Sequence, residues 1–289
     1  MKRMGKMILT LAALPLMAAW TCAGAADGTL EINQDCAADG CFPGDTPGSP
    51  ITLPASGRYK LTSDLSGLFI QFGPGALDVD LNLGGFTLDG GVRCTGSPVT
   101  SCTLGGPLAG ISMPNLASGY YLAHIHDGTL RGFQSAIYGG SLAGGSSFEH
   151  LLITENNNIA AACNLDLGEP GSTLYVRHSR FVRNRSDGLK PNTNAGSTPI
   201  RLVVEDSEFS ANGNAGLTLF VGSIVLRNTF TDNAGSGFQC AGAVGAGGAT
   251  ASAAGGNVFF NNRPTLANSE YSCPLRDMGG NVCQDGACP

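Results

Sequence analysis

The chain has 289 residues, of which 43 are glycine, about twice the usual share, whereas charged residues make up 13%, about half the usual share. Low charge together with 42% hydrophobic residues excludes an intrinsically disordered chain, which combines low hydrophobicity with high net charge. The sequence has no Gly-X-Y period, which excludes collagen.

The first 25 residues have the three parts of an export signal. Three basic residues lie within the first six positions, an apolar stretch runs from Met7 to Trp20, and small residues end the segment at Ala25. We therefore expect a signal peptide over residues 1–25, a secreted or periplasmic protein, and no membrane span after cleavage. Cleavage removes three of 16 basic residues and leaves 13 against 22 acidic ones, a net charge of −9. This charge argues against nucleic acid as a partner, because phosphate contacts need a basic face.

Nine cysteines follow this segment, and six of them form three pairs that are close in sequence. The pairs are Cys36 with Cys41, Cys94 with Cys102, and Cys283 with Cys288. CxxC spacing is absent, so disulfides in an oxidising compartment are favoured over a zinc or redox site. The pairing of the remaining three cysteines is open, and the favoured pair is Cys240 with Cys273, which leaves Cys163.

The middle of the chain contains an internal repeat. Five apolar residues, separated by 28, 28, 21 and 28 positions, are each followed three positions later by an asparagine. The pairs are Ile153 with Asn156, Phe181 with Asn184, Phe209 with Asn212, Phe230 with Asn233, and Val258 with Asn261. Short alternating segments bounded by Asn, Gly, Ser and Asp predict strands, and a repeat of this length without helices predicts an all-β solenoid, a parallel β-helix. The phenylalanines are expected to stack inside it, and the asparagines to bond neighbouring repeats.

Particular segments resemble a known family. Residues 80–90 read DLNLGGFTLDG and residues 126–133 read HDGTLRGF, which is similar to the opening coils of the right-handed parallel β-helix, or pectate-lyase-like, superfamily. The segments EINQDC (31–36), GCFPGD (40–45) and GRYKLT (57–62) resemble the N-terminal cap of an uncharacterised bacterial secreted branch. The resemblance covers residues 28–289 and implies a right-handed single-stranded solenoid with a cap. It implies no activity, because function depends on sites rather than on fold.

This reading divides the chain into four parts. Residues 1–25 form the signal peptide, residues 26–75 the cap, residues 76–262 the coils, and residues 263–289 a closing segment. Residues 241–256 are almost all Gly, Ala and Ser, which predicts a mobile loop. We expect the protein to be a monomer.

A basic cluster is the first candidate site. Arg177, Arg180, Arg183, Arg185 and Lys190 lie within 14 residues. Asp187 lies inside this cluster, and Asp166 precedes it by about one repeat. Arginine suits carboxylate recognition, and Lys190 should point outward because Leu189 points inward. We therefore expect Lys190, Arg185, Asp187, Arg183 and Asp166 to bind a ligand, with Tyr138 as an outward aromatic contact. The alternative is an ordinary solvated face balanced by Glu205, Asp206 and Glu208.

Two further polar groups are weaker candidates. Counting back three positions from the core position of successive coils gives a column of Asp127, His150, His178, Asp206 and Arg227, whose histidines should be neighbours. His124 and His126 share a strand face. A hydrogen-bonded ladder is favoured here over a metal site, so we assign no metal ligands. Asp78, Asp80 and Asp89 form an acidic run that suits calcium, although a solubilising role is favoured.

The catalytic signatures of polygalacturonases, alginate epimerases, pectinesterases and pectate lyases are absent, and no tryptophan follows the signal segment. We therefore expect a secreted protein that binds extracellular polysaccharide without an identifiable catalytic site, and whether it is an enzyme stays open. The alternatives are a diverged lyase, hydrolase or epimerase acting on acidic polysaccharide, and a purely adhesive repeat. No cofactor is predicted apart from the calcium just considered.

Overall fold

The structure is a computed structural model. It describes residues 28–116, 119–140, 142–162, 173–190, 201–219, 222–240, 252–262, 271–272 and 275–284. The predicted signal peptide, Asp166, Cys163 and Cys273 lie outside these residues, as does the side chain of Cys240, so the Cys240–Cys273 pairing stays a prediction. Within the described residues, no helix is long and apolar enough to cross a membrane.

The described part of the chain is nearly all β. One short helix, α1 (Gln34–Asp39), is capped by Asn33. The strands, in chain order, are β1 (Thr29–Ile32), β2 (Ile51–Leu53), β3 (Gly57–Leu61), β4 (Leu65–Ser66), β5 (Ile70–Phe72), β6 (Asp78–Asn82), β7 (Thr87–Asp89), β8 (Cys94–Gly96), β9 (Val99–Cys102), β10 (Ala109–Met113), β11 (Leu122–Arg131), β12 (Ser135–Gly139), β13 (Ser147–Thr154), β14 (Ala161–Ala162), β15 (Thr173–Arg177), β16 (Arg180–Val182), β17 (Arg201–Glu205), β18 (Glu208–Ser210), β19 (Leu217–Leu219), β20 (Ile224–Leu226), β21 (Thr229–Thr231), β22 (Phe238–Cys240), β23 (Ser252–Gly255), β24 (Val258–Phe260), β25 (Tyr271–Ser272), β26 (Leu275–Asp277) and β27 (Val282–Cys283).

Each repeat adds strands to a large sheet and to a smaller one. In the repeat that starts at Thr173, β15 and β16 join a 17-stranded sheet and pair in parallel with β17 and β18 of the next repeat. A strand that follows, such as β12 or β19, belongs to a five-stranded or a three-stranded sheet, and in the repeat of β15 and β16 Leu189 takes this place through isolated parallel bridges to Ala161 and Leu217. Parallel pairing over a whole repeat places equivalent residues of successive repeats side by side, about 4.8 Å apart.

Phenylalanines stack at the centre, as the sequence predicts. The ring centroids of Phe181 and Phe209 are 4.9 Å apart, and those of Phe209 and Phe230 are 5.1 Å apart, with nearly parallel planes. The stack continues to Phe259, which is 5.1 Å from Phe230 and 1% exposed. Val258 was expected at this position, but it is 40% exposed. The prediction is wrong by one residue there, because Phe230 pairs with Phe259 in the parallel register.

Beside this stack runs a buried column of side-chain amides, the asparagine ladder, formed by Asn156, Asn184, Asn212, Asn233 and Asn262. From Asn184 onward, each Oδ1 accepts bonds from the backbone and side-chain amides of the preceding member, for example from Asn184 to Asn212 at 3.1 Å for both. The ladder confirms the predicted bonding between repeats with one correction. Asn262 is the last member, and the predicted Asn261 is exposed, at the left-handed position that precedes each ladder residue.

A second buried ladder was not predicted. The Ser207 amide donates to Asn228 Oδ1, the Asn228 amide to Asn257 Oδ1, and the Asn257 amide to Asn281 Oδ1, at 2.9 to 3.0 Å. Ser179 occupies the equivalent place one repeat earlier and donates its amide to Ser207 Oγ. Because the first two places are serines and the next three are asparagines, the sequence shows no single repeated residue type here.

Two predicted disulfides are confirmed. Cys36 bonds Cys41, and Cys94 bonds Cys102. Cys283 is also in a disulfide, although Cys288 lies outside the described residues. The Cys94–Cys102 bond closes the β8–β9 hairpin, which packs on the repeats because Val99 donates its amide to Ala211 O.

The expected mobile loop over residues 241–256 is wrong for its last part. Residues 252–255 form β23, which pairs in parallel with β20 and β26. Ala254 points inward and is 2% exposed, so a small side chain fills a core position that larger ones occupy elsewhere. The earlier part of that segment lies outside the described residues.

Candidate functional site

The outward face of the 17-stranded sheet carries two histidines on β11. His124 and His126 lie on β11, two residues apart, so strand alternation turns both outward. β11 pairs with β6 on one side and β13 on the other, which places His124 between Asp80 and Ser147 in register. The face is therefore built from three successive parallel strands.

His126 is held between two carboxylates. Its Nε2 is 2.8 Å from Asp80 Oδ1 and its Nδ1 is 2.7 Å from Asp127 Oδ2. Burial lowers the pKa of His126, but the hydrogen bonds and charges of Asp127 and Asp80 outweigh this, so its pKa lies above 6.5. Both ring nitrogens can carry protons here, because each faces a carboxylate acceptor.

A second polar column follows the sheet just beside these histidines. This outer column consists of Asp127, His150, His178, Asp206 and Arg227, as the repeat predicted. All five have left-handed backbone angles, with φ between 48° and 59°. Aspartate and histidine are enriched at such positions, so turn geometry explains part of the choice of residue.

The histidines of the outer column are neighbours, as expected. The rings of His150 and His178 stack at 5.1 Å with an interplanar angle of 12°, and His150 Nδ1 is 3.5 Å from Asp127 Oδ1. At the other end, Arg227 forms two hydrogen bonds of 2.8 Å to Asp206. The first half of the column is thus imidazole and carboxylate, and its second half is a bidentate ion pair.

Together these side chains line an open groove of about 600 Å³ across β6, β11, β13 and β15. Within it, His124 Nδ1 is 3.0 Å from Ser147 Oγ, and the Arg177 guanidinium lies 4.6 Å above the Tyr175 ring. The groove is lined by Asp80, His124, His126, Asp127, Gly145, Ser147, Glu149, His150, Tyr175 and Arg177.

A smaller recess of about 470 Å³ continues along the outer column between His178 and Arg227. Its charged groups are already paired, because Arg180 Nε is 2.6 Å from Glu208 Oε2 and Arg227 bonds Asp206. Of the two recesses, the groove around His126 is the larger.

Most of the predicted basic cluster is engaged by the protein itself. Arg177 Nε donates to Glu205 at 3.0 Å, and Arg180 donates to Glu208, as the solvated-face alternative expected. Arg183 donates to the backbone oxygens of Gly96 and Cys94 in the β8–β9 hairpin. Arg185 donates to Asn157 Oδ1 at 2.8 Å. These contacts tie repeats and the hairpin together.

The other predicted site residues lie on a different side. Tyr138 on β12 points outward and is 44% exposed, as expected. Leu189 is buried, and Lys190 beyond it is half-exposed, with Nζ 3.8 Å from Asp187 Oδ2. Tyr138 pairs with Ala162, and Leu189 with Ala161, so Tyr138 and Lys190 lie on the small-sheet side, away from the His126 groove.

The acidic run does not form one site. Asp78 and Asp80 alternate outward as predicted, but Asp80 bonds His126, whereas Asp89 bonds Arg93 and Arg131. Among the residues that the structure describes, no group of three or more His, Cys, Asp or Glu is arranged to hold a metal ion.

Sequence reasoning noted Asp80, His124 and His126 separately but did not combine Asp80 with His126. Strands β7 to β10, including the β8–β9 hairpin, separate β6 from β11, so the two touching side chains are 46 positions apart in the chain. Comparisons with protein-family models, curated proteins and solved structures found no match.

Proposed function

We propose that the protein is a secreted or periplasmic right-handed parallel β-helix of the pectate-lyase-like kind that binds extracellular polysaccharide in the His126 groove. The fold is supported by the parallel register between successive repeats and by the asparagine ladder. Export is supported by the signal-like first 25 residues and by the disulfides. The binding function rests on one observation, the polar groove of about 600 Å³.

The chemistry of the groove suits a hydroxyl-rich ligand. Carboxylates accept hydrogen bonds from sugar hydroxyls, imidazoles can donate or accept them, and Tyr175 with Arg177 forms a flat polar plate. Three carboxylates, those of Asp80, Asp127 and Glu149, disfavour a polyanion, and Arg177 is already engaged by Glu205. Neutral polysaccharide is therefore favoured over acidic polysaccharide at this site.

Affinity gel electrophoresis against neutral and acidic polysaccharides tests the proposal. Neutral chains should retard the protein, and Tyr175→Ala or Glu149→Gln should weaken binding about fivefold or more, because a lost contact of about 1 kcal/mol has this effect. Tyr138→Ala is the matched control, since Tyr138 is an exposed tyrosine on the other side. Retardation that Tyr138→Ala abolishes and Tyr175→Ala leaves intact would move the site to Lys190 and Tyr138.

A second candidate is a diverged polysaccharide hydrolase, lyase or epimerase. The observation that favours it is His126, whose two ring nitrogens face carboxylates in the groove and whose pKa is raised by them despite burial. A protonated imidazole near neutral pH can act as a general acid on a leaving oxygen.

This candidate predicts new reducing ends, or ultraviolet-absorbing unsaturated ends, when the purified protein is incubated with a polysaccharide panel. His126→Gln should abolish turnover while Lys190→Ala leaves it unchanged. Turnover that His126→Gln leaves at the wild-type rate would exclude His126 as the acid. Binding without turnover across the panel would leave the non-catalytic proposal.

A further inference from the structure

Asp187 is a buried carboxyl group that the proposed function does not use. The residue is 0% exposed, and its Oδ2 has no hydrogen-bond partner. Its Oδ1 accepts bonds from Asn214 Nδ2 at 2.7 Å and from the Ala215 amide at 3.1 Å. Leaving a buried carboxyl oxygen without a partner is costly, so the arrangement calls for an explanation.

The unpartnered oxygen faces an amine. Lys190 Nζ lies 3.8 Å from Asp187 Oδ2, too long for a hydrogen bond and close enough for one small side-chain rotation to make it. One carboxyl group therefore has the amide of Asn214 on one oxygen and the amine of Lys190 on the other.

Backbone hydrogen bonds anchor the chain at Lys190 and at Asn214. The Lys190 backbone amide donates to Ala161 O, and the Thr218 backbone amide donates to Leu189 O. The peptide unit between Leu189 and Lys190 is therefore bonded to the repeats on both sides. Asn214 lies in the next repeat, where its backbone oxygen accepts a bond from Gly235. The Asp187 carboxyl group thus lies between two side chains that belong to neighbouring repeats.

We infer that Lys190 and Asn214 form an autocatalytic isopeptide crosslink, with Asp187 as the proton carrier between them. The inference is independent of polysaccharide binding, because none of the three residues lines the His126 groove.

The reaction balances without any added reagent. Asp187 takes a proton from the Lys190 ammonium, and the neutral Nζ attacks Asn214 Cγ. A bond forms between Nζ and Cγ, and the bond between Cγ and Nδ2 breaks. Asp187 passes the proton to Nδ2, which leaves as ammonia. Nζ then loses its second proton to the Asp187 carboxylate, and Asp187 releases that proton to solvent. Burial, the largest influence, raises the pKa of Asp187, while the Lys190 charge and the bonds from Ala215 and Asn214 lower it, and the net rise suits a proton carrier.

Such a bond would link two neighbouring repeats, at the corner where the chain runs from the asparagine ladder to the small-sheet side. It would restrict the unfolded chain as a disulfide does, but it would survive a reducing environment. The crosslinked protein should therefore keep a higher melting temperature than an uncrosslinked variant after its disulfides are reduced.

Intact mass spectrometry of the purified full chain, reduced, tests the inference. The wild type should be lighter than its sequence by one ammonia, and digestion should yield a branched peptide joining Lys190 to Asn214. Lys190→Arg, which keeps the charge, and Asp187→Ala should restore the full mass. Lys60→Arg is the matched control, because Lys60 is the other lysine beyond residue 25, and its loss should leave the mass deficit intact.

A wild type of full mass overturns the inference, and so does a deficit that survives Lys190→Arg. The second result would identify succinimide formation at Asn212-Gly213, which also releases ammonia but gives no branched peptide. Even if Lys190→Arg fails to fold, the wild-type mass and the presence or absence of the branched peptide decide the question.

Discussion

Two polar columns follow the same repeat, and they differ in how exposed their side chains are. In the asparagine ladder every member is at most 7% exposed, and each amide bonds the next. In the outer column, by contrast, the His150 side chain is 56% exposed and that of Arg227 is 55% exposed. A side-chain amide both donates and accepts hydrogen bonds, so asparagine alone can continue a ladder through any number of repeats. Imidazoles and carboxylates need alternating partners, so the outer column keeps groups that can bind other molecules.

The contrast between the two columns is tested most strongly by removing one side chain of the asparagine ladder. Asn212→Ala leaves the buried Asn184 backbone amide without its acceptor, and it removes one hydrogen bond each from Asn184 Nδ2, Asn233 Oδ1 and Phe181 O. Because a stranded buried group costs about 1–3 kcal/mol and each further lost hydrogen bond about 1 kcal/mol, we expect the free energy of unfolding to fall by about 3 kcal/mol or more. Urea unfolding measures this loss.

Asn261→Ala is the control for that experiment, since Asn261 is the exposed neighbour of the ladder. It should cost less than about 1 kcal/mol, mainly because alanine disfavours a left-handed backbone. A larger loss for Asn261→Ala than for Asn212→Ala would contradict the register that ends the ladder at Asn262.

The sequence predicts the repeat and four of the five ladder members, but not the last. At that point both Val258 and Phe259 are apolar and both Asn261 and Asn262 are asparagines, so two registers fit the pattern equally well. Packing decides between them, because a phenylalanine ring continues the central stack at 5.1 Å. The contact of Asp80 with His126 is beyond any repeat argument, since an inserted hairpin separates them.

Asp89 has a side-chain exposure of 14%, between that of the asparagine ladder and that of the outer column. Burial raises its pKa, but bonds from Arg93, the Gly91 amide and Arg131, with the Arg131 charge, outweigh this and lower it to about 2. The folded pKa is below the unfolded value, so Asp89 stabilises the protein above about pH 4 and the contribution disappears as pH falls toward 2. Asp89→Asn should therefore cost about 2 kcal/mol near neutral pH.

The unfolding free energies of wild type and Asp89→Asn, compared from about pH 7 to about pH 2, check this prediction. The difference between them should narrow as the medium becomes acidic. Asp78→Asn is a suitable control, because Asp78 is an exposed aspartate on the preceding strand. A difference that stays constant with pH would show that Asp89 acts through packing rather than charge.

His126 should show the opposite pH dependence and a smaller effect. Its folded pKa lies above 6.5, so its interaction with Asp80 and Asp127 stabilises the protein below that value and is lost as pH rises through the folded pKa. His126→Gln should cost about 1 kcal/mol near pH 6, as for partly exposed ion pairs, and little near pH 9. Chemical unfolding of wild type and His126→Gln at both pH values measures this. A cost that grows toward pH 9 would mean that the neutral ring is the stabilising form.

The smallest effect is expected for the arginine face that sequence reasoning ranked first. Arg180 donates to Glu208 at 2.6 Å, yet its side chain is 57% exposed, and solvent and salt screen such a pair. Arg180→Ala should therefore change the unfolding free energy by less than about 1 kcal/mol, and a double-mutant cycle with Glu208→Gln should give a coupling energy that shrinks in high salt. A coupling of several kcal/mol that salt leaves unchanged would mean that the pair is shielded from water. In that case the outer face beyond His178 would resemble the buried ladder, and the contrast between the two columns would hold only at the His126 groove.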